Sequence, residues 1–214
     1  MYLDFHKFHE FDLRYNPAHM FLVNAYGDLI NFRGAINFFE TQIENHLDLS
    51  VPEKKDPLII PFVNDKENYK SIIYSSMIIS IYSLMENHLL KLCQLHKLFY
   101  PNDPDIKDHK GKSGVKKFAQ YLNKTAGCTD VYGSRWGEID AWRKVRNCLI
   151  HDNGIPKPDD AEIFTSILNL VVVKKEYVII NGEDCRKYID LIEDYLFFLT
   201  HQLKFDIRER QKKT

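Results

Sequence analysis

Residues 71–85 read SIIYSSMIISIYSLM, and no other stretch limits the fold so strongly. The run is apolar on more than one helical face around Ile72–Leu84, so a helix built from it has to be covered from several sides. It is shorter than the ~20 residues that a membrane span needs, and Glu86 and Lys91 fall on the same helical pattern. The spacing predicts a buried helix over about Lys66 to Phe99, central to its own domain or shared with a partner subunit. Pro101 and Pro104 end it.

The remaining pattern is also mainly helical. Phe21, Ala25, Leu29, Phe32, Ile36, Phe39, Ile43 and Leu47 recur at helical spacing, predicting a first helix from about Pro17 to Asp48. A loop with Pro52, Pro57 and Pro61 follows. A short helix is expected over Gly114–Asn123, with Ser113 as its N-cap. Another is expected over Arg135–His151, stopped by Gly154 and Pro156. Asp159 or Asp160 is a candidate cap for a short helix over Ala161–Leu168. LVVVK (170–174) and EYVII (176–180) carry the one strong strand signal and predict a hairpin. Asn181-Gly182 then turns the chain into a last helix, about Glu183 to Arg208. The expected architecture is an all-α bundle with a small β-hairpin before the C-terminal helix. One domain occupies 17–208, between an aromatic arm at 1–16 and a polar tail at 209–214.

Composition narrows the function. The chain has 214 residues, 44% of them hydrophobic, enough for a real core. A net charge of −1 leaves no whole-protein basic field, so any nucleic acid has to be met by local patches. Cys93, Cys128, Cys148 and Cys185 are far apart and form no CxxC, which argues against a zinc site or a disulfide framework. Reduced thiols and a soluble, cytoplasmic protein are expected. MYLDFHKFHEF lacks the pattern of a signal peptide. HKGKSG resembles part of a phosphate-binding loop, but Ile106 stands where the first glycine is required. No cofactor and no metal site are expected. His6 with His9, and His88 with His96, have no accompanying ligands.

The segment EIDAWRKVRNCLIHDNG (138–154) carries the chemistry. Asn147 and His151 are four apart and share a helical face. Arg146 is five residues before His151, offset by roughly 140° on an ideal helix, within the swing of a long side chain. An imidazole exchanges protons near neutral pH, and a helix C-terminus favours its cation. A guanidinium forks two donors onto a phosphate. Arg143 is a candidate phosphate contact or a structural partner of Glu138 or Asp140. Lys112, Lys116 and Lys117, with Lys107, Lys110 and Lys124, form either an RNA-backbone funnel or an ordinary solvated stretch. Trp136 and Trp142 read as core or interface.

The block RNCLIH (146–151) resembles the Arg-x4-His signature of the HEPN superfamily, and SLMENHLLKL resembles that family's second helix. The likeness in helical arrangement extends over about residues 20–208. It implies a homodimer that places two motifs around one cleft and cleaves RNA without a metal. It also implies catalytic roles for Arg146, Asn147 and His151, with Glu86 as a supporting polar residue facing the motif. A toxin or phage-defence effector, restrained by an antitoxin or sensor protein, is the biological role of such enzymes. Asn153 stands where some members carry a tyrosine that a partner enzyme modifies. A non-catalytic HEPN-like dimeric module is the alternative, and nucleotide binding through Arg146 and the lysines is a third reading.

Overall fold

Apolar residues at helical spacing become long helices wherever they find cover. The computed structural model describes residues 17–46, 65–109, 114–173 and 177–203. Its elements are α1 (Pro17–His46), α2 (Asp65–Phe99), a 3-10 turn (Ile106–Asp108), α3 (Gly114–Lys124), α4 (Ser134–His151), α5 (Pro158–Ser166), β1 (Val171–Val173), β2 (Tyr177–Ile179) and α6 (Gly182–Gln202). The protein is mainly α-helical, with one two-stranded antiparallel hairpin before the last helix. The hairpin register pairs Val171 with Ile179, Val172 with Val178 and Val173 with Tyr177.

Two boundaries differ from expectation. α5 begins at Pro158 rather than Ala161, and its N-cap is Lys157 rather than Asp159 or Asp160. Proline suits the first helical position because its missing N–H would have no partner there, and the two aspartates complement the dipole in the first turn. α6 ends at Gln202, and Leu203 lies outside it. The expected arm at 1–16, the proline loop at 52–61, Lys110, Lys112, Ser113, the lysine turn of the hairpin and the tail at 209–214 lie outside the described residues.

Backbone contacts divide the chain into two compact units. The first comprises Met1–Asp28, Glu86–Tyr132 and Glu193–Thr214. Its core joins Phe21, Leu22 and Ala25 of α1, Leu89, Leu92 and Cys93 of α2, Phe118, Tyr121 and Leu122 of α3, and Tyr195 and Leu199 of α6. The Tyr195 hydroxyl donates to the Val131 carbonyl at 3.2 Å, which satisfies a buried polar group. The buried Tyr121 hydroxyl is 3.0 Å from Nδ1 of His96. Glu86 turns its carboxylate against Gly114, filling the space a Cβ would need there, at the start of α3 where a negative charge is favoured.

The second unit comprises Leu29–Met85 and Gly133–Ile192. The apolar run 71–85 delivers Tyr74, Met77, Ile78, Ile81, Tyr82 and Met85 to its core, whereas Ile72 of the same run is 61% exposed, so the helix is covered on fewer sides than the sequence pattern predicts. α4 buries Ile139, Ala141, Trp142, Val145 and Cys148 against them. The Trp142 ring stacks on Tyr188 of α6, centroids 4.6 Å apart and planes 19° apart. Each such side chain, fully buried, contributes about 1.5–3 kcal/mol relative to exposure, so α4 is firmly seated by its apolar face. Its polar face is thereby left for the motif.

Candidate active site

The site is built on the last two turns of α4 and the loop that follows. Burial of Trp142, Val145 and Cys148 sets the rotation of the helix. That rotation leaves Arg143, Lys144, Arg146 and Asn147 half-buried and His151 exposed. His151 is the last residue of the helix.

Arg146 is held by a neighbouring amide and by an aromatic ring. Its Nη1 donates to Oδ1 of Asn147 at 3.0 Å. Its Cζ stands 5.6 Å from the centroid of the Tyr82 ring on α2, within the range of a cation–π contact. Its Nε is buried and has no hydrogen-bond partner among the described residues. The bond to Asn147 uses Nη1, so the buried Nε takes no part in it.

The neighbouring cations are committed elsewhere. Arg143 Nε donates to Asp140 Oδ1 at 2.7 Å, and this hydrogen bond pushes the guanidinium further above its ordinary range. The pairing of Arg143 with an upstream carboxylate of its own helix is one of the two outcomes expected from sequence. Lys144 Nζ donates to Asp160 Oδ1 at 2.9 Å, tying α4 to α5.

The end of α4 is closed by backbone. The Cys148 carbonyl accepts from the amides of both Asp152 and Gly154, each at 3.0 Å. Asn153 and Gly154 take positive φ of 52° and 78°, the left-handed turn that ends the helix where the sequence places the stop. The amide of Val178 in β2 then donates to the Gly154 carbonyl at 3.0 Å. The hairpin therefore fastens the loop that directly follows His151, a role no pattern in the sequence marks.

Arg143, Arg146, Asn147 and His151 share α4 and one unit. Glu86, Lys116 and Lys117 belong to the other unit, and Lys112 lies outside the described residues. Lys116 is exposed and Lys117 half-buried on α3. Tyr82 was missed by sequence reading, because a tyrosine inside an apolar run carries no signal beyond core. Among the described residues no cluster of three or more His, Cys, Asp or Glu is placed to hold a metal ion. No described helix is long and apolar enough to cross a membrane.

Comparison with protein-family models, with curated proteins and with solved structures finds no match to the chain.

Proposed function

We propose that the chain is a HEPN-type endoribonuclease that acts as a homodimer. The observation that carries this reading is that one helix end holds both an exposed His151 and a half-buried Arg146 that has no carboxylate partner among the described residues. In the reaction the 2′-OH loses its proton and its oxygen attacks the adjacent phosphorus. The bond from phosphorus to the 5′ oxygen breaks, and that oxygen takes up a proton. The products are a 2′,3′-cyclic phosphate and a 5′-OH. His151 moves protons, Arg146 stabilises the charge on the pentacoordinate phosphorus, and Asn147 orients the guanidinium. The nucleophile is the substrate's own hydroxyl, so this chemistry does not call for a metal. One imidazole does not serve as base and acid in a single step, which is the reason for two copies around one cleft. Lys112, Lys116 and Lys117 are assigned to RNA contacts, whereas Arg143 is held by Asp140 and Glu86 lies against Gly114 in the other unit. A restraining antitoxin or sensor and a cytoplasmic location belong to the same proposal.

The second reading is a non-catalytic dimeric module. It draws on the exposed Ile150 and Ile155 that flank His151 in sequence, side chains that a partner surface would cover.

The test is cleavage of a mixed tRNA and mRNA pool in EDTA by wild type and by His151→Ala. Cleavage by wild type alone, leaving cyclic phosphate ends, supports the ribonuclease. Folded proteins that both leave the pool intact, across RNAs from stressed and phage-infected cells, sink it and favour the module. Loss of the exposed His151 is expected to cost no more than about 1 kcal/mol of stability, so inactivity of the mutant would not be unfolding.

A further inference from the structure

Arg146 is held by a residue that the motif does not contain. Tyr82 is 4% exposed and projects from the central apolar run of α2. The Arg146 guanidinium lies over its ring face, Cζ 5.6 Å from the centroid. The same phenol lies within electrostatic reach of Arg143, one helical turn earlier. Arg143 is drawn back to Asp140 at 2.7 Å, whereas Arg146 has no carboxylate partner among the described residues.

Such an arrangement holds the guanidinium from two sides. A half-buried arginine without a carboxylate is costly unless something else compensates its charge and orients its donors. The ring face supplies part of the first, and Asn147 Oδ1 holds one end of the fork. A guanidinium held in this way keeps its donors in a fixed fork, the geometry that phosphodiester oxygens accept. Without the ring, the long arginine side chain samples many rotamers, and the fork is no longer ordered before a ligand arrives.

We infer that Tyr82 is a positioning residue that stacks under Arg146 and orients its guanidinium for a backbone phosphate of RNA. The inference deepens the ribonuclease reading and rests on it for the identity of the ligand, while the stacking itself is independent of cleavage. Tyr82 touches no reacting atom, and its effect passes entirely through Arg146.

The test separates the two claims by measuring binding apart from cutting. The probe is a fluorescent single-stranded RNA with 2′-O-methyl groups throughout, which offers phosphates but no nucleophile. Its anisotropy is followed with wild type, Tyr82→Leu, Tyr82→Phe, Arg146→Ala and the Tyr82→Leu/Arg146→Ala pair. A cation–π contact of ordinary strength predicts that Tyr82→Leu weakens binding roughly threefold to thirtyfold. Tyr82→Phe recovers most of that loss because it keeps the ring. In the Arg146→Ala background Tyr82→Leu adds nothing, since its only route is gone. Equal losses in Phe and Leu variants, additive losses in the pair, or no effect of either residue on binding would overturn the inference. If Tyr82→Leu does not fold, the wild type and Tyr82→Phe still decide it by NMR. Both are expected to show ring-current upfield shifts of the Arg146 side-chain protons, identified by their loss in Arg146→Lys, and unshifted protons refute the stacking. Binding that follows this pattern without any cutting of unmodified RNA would leave Tyr82 in place and defeat only the ribonuclease.

Discussion

The carboxylate of Glu40 fills the space that a Cβ on Gly182 would occupy, with its Cδ 3.0 Å from that position. The same carboxylate accepts three hydrogen bonds from Arg186, at 2.9 to 3.1 Å. Both residues of the pair are about two-thirds covered, with 31% and 29% of their side chains exposed. Alanine normally favours a helix over glycine by up to about 1 kcal/mol. Here Gly182→Ala is expected to destabilise by about 1 kcal/mol instead, because the methyl group displaces Glu40 from Arg186. In a Glu40→Ala background the same substitution should become neutral or stabilising. Urea midpoints of the four proteins check this, and a Gly182→Ala effect of one sign in both backgrounds would refute the steric account.

Two buried histidines predict acid sensitivity. His88 and His96 are 1% and 5% exposed. Burial pushes both imidazoles below their ordinary value, against the opposing pull of Asp28 on His88 and Asp103 on His96. Lys91 and Lys97 add to the depression. Nε2 of His88 is 3.3 Å from Oδ2 of Asp28, whose carboxylate opposes the effect of burial, and neither ring nitrogen makes a hydrogen bond of good geometry among the described residues. The folded state thus binds these protons less readily than the unfolded chain. Their contribution to stability is complete above the ordinary imidazole value, near 6.5, and is lost as pH falls from there through the depressed folded values. Thermal melts between neutral and mildly acidic pH should fall less steeply in His88→Gln and His96→Gln than in wild type. Parallel curves would show that the carboxylates alone control the acid limb.

The thiols should be silent. All four cysteines are buried. Burial raises Cys148 to about 11 and Cys128 and Cys185 to about 12, and raises Cys93 still further. A nucleophilic thiol needs its thiolate and access to reagent, and these have neither. Ellman's reagent at mildly alkaline pH should label the folded protein only at the rate of its unfolding, and all four thiols rapidly in denaturant. Rapid native labelling of Cys148 would show that the end of α4 opens locally.

Three-residue strands exchange their amides readily unless something else holds them. The Val178 amide is bonded to the Gly154 carbonyl, and its side chain is 4% exposed. Hydrogen exchange should therefore find Val178 well protected, and Tyr177, whose side chain is 52% exposed, less so. Equal, fast exchange at both positions would mean that the hairpin does not fasten the loop after His151.

The sequence by itself determined the helical elements and the chemistry on offer. Apolar spacing from Tyr74 to Met85 forces a covered helix whatever surrounds it, and β-branched runs on either side of a turn make the hairpin, because both patterns are local. Asn153 and Gly154 ended α4 where left-handed backbone is least costly. Arg146, Asn147 and His151 were likewise visible as residue types at a helix end. Only the tertiary structure decided what those side chains are committed to. Arg143 and Arg146 are the same residue type three positions apart, yet one is bound to Asp140 and the other lies over Tyr82. Val178, 24 residues beyond Gly154, closes the loop beside His151. Such pairings depend on which helix faces meet and on what the packing of Trp142 against Tyr188 leaves outside, and that is a property of the assembled core rather than of any stretch of chain.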